Sequence, residues 1–263
     1  MCEPLILTGY SNEERAQVQK LEQQINVDFA TIKSDFAHIA TIQPIDLATN
    51  KYYEQILQSN PRDQNNSNVE SHQNGIDMLK QIYGKNMQEL NELNLNPIQN
   101  HRLVNKIQED TCFILLNFRY FEKIAIIFSK CIGDKLTVPM ITNDDELGLI
   151  MTPKELNQVI PDLTNDYSSY LLALLRLVDT IVDYTSEVII KISISQSEKL
   201  QYSLAVINSQ VISKLQQGFQ LLDLKNDNLR RKYDGLKYQV KKINSMVYDL
   251  SLRQLIMVDA EVI

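Results

Sequence analysis

Between Lys225 and Lys242 the chain places seven basic residues, Lys225, Arg230, Arg231, Lys232, Lys237, Lys241 and Lys242, against two acids, Asp227 and Asp234. That is a surplus of five positive charges in 18 residues, within a chain whose net charge is −7. The remainder therefore carries −12. An acidic body argues against a generic nucleic-acid binder, whereas a local cation cluster on it offers one place where phosphates are attracted. Arg230, Arg231 and Lys232 are consecutive, so on a helix they fan around much of its circumference. Tyr233 and Tyr238 are interleaved with them, and an exposed tyrosine can stack on an unpaired base. No groove-reading motif is visible, so a single strand fits this pattern better than a duplex. Ordinary solvated lysines would produce the same composition.

A second set of groups could do metal chemistry. Asp179, Asp183 and Glu187 follow one another at steps of four, which puts three carboxylates on one helix face. Such a face could hold Mg²⁺ and support phosphoryl transfer. The plainer account is a solvated face with a Glu187–Lys191 pair at i,i+4. Asp144-Asp145-Glu146 reads as loop acid. His38, His72 and His101 are far apart, Cys2, Cys112 and Cys131 form no CxxC, and HExxH is absent, so no zinc site is expected. Walker A, GxGxxG and GxSxG are missing too. No cofactor and no catalytic Ser or Cys is expected.

The elements that must position these groups read as helices. The chain has 263 residues, 44% of them hydrophobic, with only seven Gly and seven Pro. That is enough for a sizeable core but too few turn-formers for a many-stranded β-fold. Val18, Leu21, Ile25, Phe29, Ile32, Phe36 and Ile39 step by threes and fours along a first helix from about Asn12 to Gln58, which Pro44 kinks or breaks. Ser59 to Gly75 is rich in Asn, Gln and Ser, and residues 60–74 are expected to be a disordered insertion. A second helix covers roughly Ile76 to Leu93, with Pro97 at its exit. The third keeps a strict three-four step from Val104 to Ile132, with Gly133 as its C′ residue. Thr152-Pro153-Lys154-Glu155 has the form of an N-cap, a Pro at N1 and a capping-box acid. From Leu163 to about Ile194 apolar residues occupy more than one face, as in a helix central to a bundle. Two more helices are expected, at about Glu198–Leu222 and Lys225–Met257. The fold class is all-α: an antiparallel bundle of about six long helices plus a short one, in one domain over residues 1–263. No apolar run approaches the ~18 residues of a membrane span, and no secretory signal is expected. The cysteine usage suggests a reducing compartment.

The last part of the chain repeats every seven residues: Leu215, Leu222, Leu229, Leu236, Ile243 and Leu250, with Phe219, Asn226, Tyr233, Val240 and Val247 at the partner positions. The flanking positions carry Lys225, Arg230, Lys232 and Lys237, all positive. In a parallel homodimeric zipper these would repel. A basic-zipper factor also has its basic region before the heptads, not inside them. A helix packed within a bundle, with charge on its rim, fits better.

The stretch Gly218 to Lys242, with Leu224-Lys225-Asn226-Asp227, Leu229-Arg230, Tyr233-Asp234-Gly235-Leu236-Lys237-Tyr238, Val240 and Lys241-Lys242, followed by Val247-Tyr248-Asp249-Leu250, closely resembles the end of the translin family. The close match covers about an eighth of the chain, and the remainder is similar in the order of its elements. The resemblance implies a helical bundle assembling into a hollow, octamer-like shell that binds single-stranded RNA and DNA. It also implies a possible partner of the translin-associated factor X type, which would supply endoribonuclease carboxylates. On the family's nucleic-acid-binding positions fall Lys225, Arg230 and Arg231, and, for a second cluster on the third helix, His101, Arg102 and Lys106. On the sister subunit's acid positions fall Leu116, Arg119 and Ala173, none of them a metal ligand. The resemblance thus implies a non-catalytic, translin-type subunit located in cytoplasm and nucleus, with no membrane role. Two other readings stay open: a metal-dependent endoribonuclease using Asp179, Asp183 and Glu187, and a helical scaffold with no nucleic-acid role.

Overall fold

The computed structural model describes residues 12–50, 75–93, 95, 97–133, 148–164, 167–195, 199–224 and 228–256. Six long helices dominate them: α1 (Asn12–Ile39), α3 (Gly75–Glu92), α4 (Pro97–Gly133), α6 (Tyr167–Ser195), α7 (Ser203–Gln220) and α8 (Asn228–Leu252). Two short helices, α2 (Pro44–Asn50) and α5 (Pro153–Val159), and a 3-10 turn at Lys199–Tyr202 complete the set. The described residues form no strand. The all-α expectation holds, with two short helices in place of one. The expected insertion at 60–74 and the Asp144–Glu146 run lie outside the described residues.

Local sequence accounts for most boundaries. Pro44 ends the periodic segment that begins at Asn12 and opens α2 instead of kinking α1. A proline lacks only a donor that the first turn does not use. Pro97 likewise opens α4. At α5 the capping box forms in full: the Glu155 N–H donates to Thr152 Oγ1 at 3.3 Å, and the Thr152 N–H donates to Glu155 Oε2 at 2.7 Å. The Thr152 N–H, joined by the Thr152 hydroxyl at 2.8 Å, donates to the Glu155 carboxylate and holds it below its ordinary pKa.

Helices joined by short turns run antiparallel, as α3 and α4 or α7 and α8 do. Across the longer connections the sense is the same. Asn105 meets Ser169 and Tyr120 meets Tyr184, so α4 and α6 run in parallel. Asp179 meets Gln239 and Asp183 meets Lys242, so α8 runs parallel to α6. Glu22 meets Arg102 and Lys33 meets Asp110, so α1 joins the same sense. The N-terminal ends of α4, α6 and α8 therefore share one end of the bundle.

The core runs along α4 and α6. Tyr120, Phe121 and Tyr184 pack edge to face, with centroids 5.2 to 6.4 Å apart. Asn208 of α7 ties this centre together: its Oδ1 accepts from the Tyr120 hydroxyl at 2.9 Å, and its Nδ2 donates to Thr185 Oγ1 at 2.8 Å. A buried amide with only one of these bonds would be costly, so the pairing fixes how α4, α6 and α7 meet. On α8 the buried residues are Leu229, Leu236, Ile243 and Leu250, one every seven. The repeat does not continue as one seam. α7 ends at Gln220, and Leu222 lies exposed in the turn.

Candidate nucleic-acid interface

α8 presents three sides, set by 100° per residue. Its apolar stripe faces the core. Beside that stripe lies a polar side against α6 and α4, where Lys232, Gln239 and Lys242 find acids on their neighbours. Lys232 Nζ reaches Glu109 Oε1 at 3.3 Å, Gln239 Nε2 donates to Asp179 Oδ1 at 2.6 Å, and Lys242 Nζ reaches Asp183 Oδ1 at 3.0 Å. Burial raises the Asp179 carboxyl above its ordinary pKa, and the Gln239 bond works against that rise. The third side faces outward and carries Arg230, Arg231, Lys237 and Lys241, all exposed.

The outward cations are partly compensated. Arg230 Nε lies 3.5 Å from Asp234 on the next turn and its guanidinium sits 5.7 Å from the Tyr233 ring. Lys237 lies 5.0 Å from the centre of the Tyr238 ring. Arg231 and Lys241 take no ion-pair partner among the described residues. Lys225 lies outside the described residues, as does Asn226. The two tyrosines expected to stand among the cations separate. Tyr233 stacks on Phe219 of α7 at 5.6 Å and closes the core edge. Tyr238 is 67% exposed.

The second expected cluster opens α4 at the same end of the bundle. Arg102 pairs with Glu22 of α1, and His101 Nε2 lies 3.2 Å from Asn105 Nδ2. Lys106, half-buried, is one turn before Glu109 and therefore level with the start of α8. Sequence reasoning places these residues on separate helices, and the parallel packing of α4 and α8 on α6 puts their N-terminal ends at the same end of the bundle.

A chain of alternating charges that sequence reasoning missed ties α1, α4, α6 and α8 together. Lys33 Nζ and Arg176 Nη1 both donate to Asp110 Oδ1, at 2.8 and 2.9 Å. Arg176 Nη1 also reaches Glu109 Oε1 at 3.2 Å, which Lys232 shares. The Arg176 guanidinium lies 4.1 Å from the Phe113 ring centre. The Asp110 side chain is only 6% exposed, so its charge depends on those two cations. The available signal was Arg176 itself, the one charge in an otherwise apolar run from Leu171 to Val178. A cation there demands acids on the helix it faces.

The acids on α6 do not converge. Asp179 and Asp183 are engaged by α8, and Glu187 pairs with Lys191 at 3.3 Å. Among the described residues no three His, Cys, Asp or Glu side chains are grouped to hold a metal ion. Leu116 and Ala173 are buried apolar side chains, and Arg119 pairs with Glu122 at 3.4 Å and Glu155 at 3.6 Å.

The translin family's sequence profile matches residues 39–254, most of the chain and every helix from α2 to α8. The chain belongs to the translin family. Over 77 residues it is 47% identical to translin of Homo sapiens, an alignment covering 27% of this chain and 34% of the human protein. Translin of Bos taurus gives the same figures. Translin of Gallus gallus is 59% identical over 54 residues, 20% of this chain and 24% of the chicken protein. The matched region thus spans about a third or less of each relative's length. For a translin-family chain, the arrangement of α8 is the feature that bears on chemistry: one side locked to the bundle by ion pairs, the opposite side carrying cations toward solvent.

Proposed function

We propose that this chain is a single-stranded RNA- and DNA-binding subunit of a homo-oligomer, of the translin type and not the translin-associated factor X type. The observation that carries it is the outward side of α8, where Arg231 and Lys241 stand without ion-pair partners among the described residues while the neighbouring Lys232 and Lys242 are held by acids. Uncompensated cations on a rigid helix neutralise phosphates and release counterions, which gives affinity without base preference. Arg230 is within reach of the same ligand, and Lys106, near the start of α8, extends the site toward Arg102 and His101. Lys225, by the family resemblance, belongs to it too.

Assembly supports the reading through multiplicity, since repeated weak sites give avidity. The surface has the apolar character a subunit interface needs. A groove of about 440 Å³ is lined by Leu171, Leu174, Val211, Leu215 and Phe219, and next to it Leu221 is 88% exposed. An octamer-like shell is the expected state. A factor X-type endoribonuclease subunit is the expected partner, with this chain as non-catalytic scaffold in cytoplasm and nucleus. The engagement of Asp179 and Asp183 by α8 favours this over a nuclease of its own.

The test is a gel shift of the full chain with a short single-stranded RNA, together with light-scattering mass. Replacing Lys225, Arg230 and Arg231 by Ala should weaken binding across all sequences. It should also flatten the salt dependence by about 0.7 in log–log slope for each phosphate no longer neutralised, with the mass near eight chains unchanged. Unaltered binding in this variant and in its Lys241→Ala derivative would refute the α8 site. A monomeric mass at micromolar concentration would refute the assembly.

A further inference from the structure

The outward face of α8 has a period of its own. Arg231, Asp234, Tyr238, Lys241, Ser245, Tyr248 and Leu252 follow at steps of three and four, and all are exposed. This stripe lies opposite the buried Leu229–Leu236–Ile243–Leu250 stripe. Two rings on it stand in solvent, Tyr238 at 67% and Tyr248 at 66% exposure. Beside Tyr238 a shallow groove of about 530 Å³ is lined by that ring and by Lys241, Lys242, Ser245, Met246 and Asp249.

We infer that Tyr238 and Tyr248 are base-stacking platforms of a single-strand track along α8, with Arg231, Lys237 and Lys241 holding the phosphates between and beside them. The inference rests on the reading of α8 as the nucleic-acid site and adds how the bases are held. The ten helical steps from Tyr238 to Tyr248 rise about 15 Å along the helix, room for a short run of nucleotides. Lys241 stands one turn past Tyr238, so a cation falls between two aromatic faces. That order matches a strand in which phosphates and bases alternate. The carboxylates on the stripe and in the groove are each paired with a cation. Asp234 pairs with Arg230 at 3.5 Å and Asp249 with Arg253 at 3.0 Å. Lys237 Nζ sits over one face of the Tyr238 ring, 5.0 Å from its centre, and so puts positive charge on the track. A second protein chain is a poorer occupant. The outward side of another copy, with its own Arg231, Lys237 and Lys241, would bring like charges together, which disfavours association.

The chain contains no tryptophan, so Tyr238→Trp places a single indole on the track. In the full chain its emission should be quenched by oligo-dT and hardly changed by a backbone of equal length without bases. Tyr238→Ala and Tyr248→Ala should each weaken oligo-dT binding by on the order of tenfold. Tyr238→Phe should restore most of it, and the salt slope should stay unchanged because no cation is removed. If the double Tyr→Ala variant binds oligo-dT like the parent while Arg231→Ala with Lys241→Ala binds weakly, stacking is refuted and the phosphate site stands. If neither variant alters binding, both readings fall. Equal quenching by the baseless backbone overturns the stacking role, and a change of oligomer mass in either tyrosine variant assigns the stripe to a subunit interface instead.

Discussion

Glu109 holds Lys232 at 3.3 Å and, together with Asp110, Arg176 at 3.2 Å. Glu109→Gln keeps the shape and removes the charge, so stability and binding should move in opposite directions. The chain Lys33–Asp110–Arg176–Glu109–Lys232 then goes from a net charge of +1 to +2. The Arg176 bond is the partly buried one, and a charge-assisted bond of that kind contributes about 1.5–3 kcal/mol. Arg176 keeps Asp110 at 2.9 Å, which lowers the loss. The Lys232 side chain is 39% exposed, so its pair adds no more than about 1 kcal/mol. A destabilisation of about 2 kcal/mol follows, read as a lower urea midpoint at constant m-value. Lys232, released beside Arg231, gains freedom to meet a phosphate. Single-strand affinity should rise severalfold at low salt, and the log–log salt slope should steepen by about 0.7 for one more phosphate neutralised. Lower stability with unchanged affinity and slope would place Lys232 away from the nucleic-acid path. Unchanged stability would refute the charge chain itself.

Three further outcomes are expected. Asn208→Ala strands the Tyr120 hydroxyl in the core and should cost about 2–3 kcal/mol in urea unfolding, whereas a loss below about 0.5 kcal/mol would mean the hydroxyl finds another partner. The depressed pKa of Glu155 means its contribution is present above the unfolded-state value and lost as pH falls through the folded one. The stability gap between the parent and Glu155→Gln should therefore be widest near neutral pH and shrink in acid; a gap constant from pH 7 to pH 3 would contradict the capping account. Asp183→Asn should leave RNA cleavage by any complex containing this chain unchanged in Mg²⁺, and EDTA-sensitive cleavage by the pure chain that this substitution abolishes would establish the nuclease reading.

Much of this molecule is legible in its sequence because a helix writes its burial as a period. Leu229, Leu236, Ile243 and Leu250 are buried as their spacing requires, and the residues on the opposite side of the helix are exposed for the same geometric reason. Thr152, Pro153 and Glu155 open α5 as local hydrogen bonding dictates. The cation cluster, too, is a matter of composition. The seven-residue spacing alone does not make one seam: Leu215 and Leu222 keep it, but α7 stops at Gln220, between those two residues, and a new helix carries Leu229 onward.

Which cations are free is decided only by the tertiary structure. Lys232 and Arg231 are adjacent in sequence and alike in composition, yet one meets Glu109 across 123 residues and the other faces solvent. Side-chain identity fixes what a group can bind. Its partner depends on which helices lie alongside, and that was set by connections that bring α4, α6 and α8 into parallel register. The same register draws Asp179 and Asp183 onto Gln239 and Lys242, so three acids at ideal spacing for a metal are tied to α8 and to Lys191 instead. Periodicity along one helix determines a face; the charge that reaches across to that face comes from another part of the chain, and only folding brings it there.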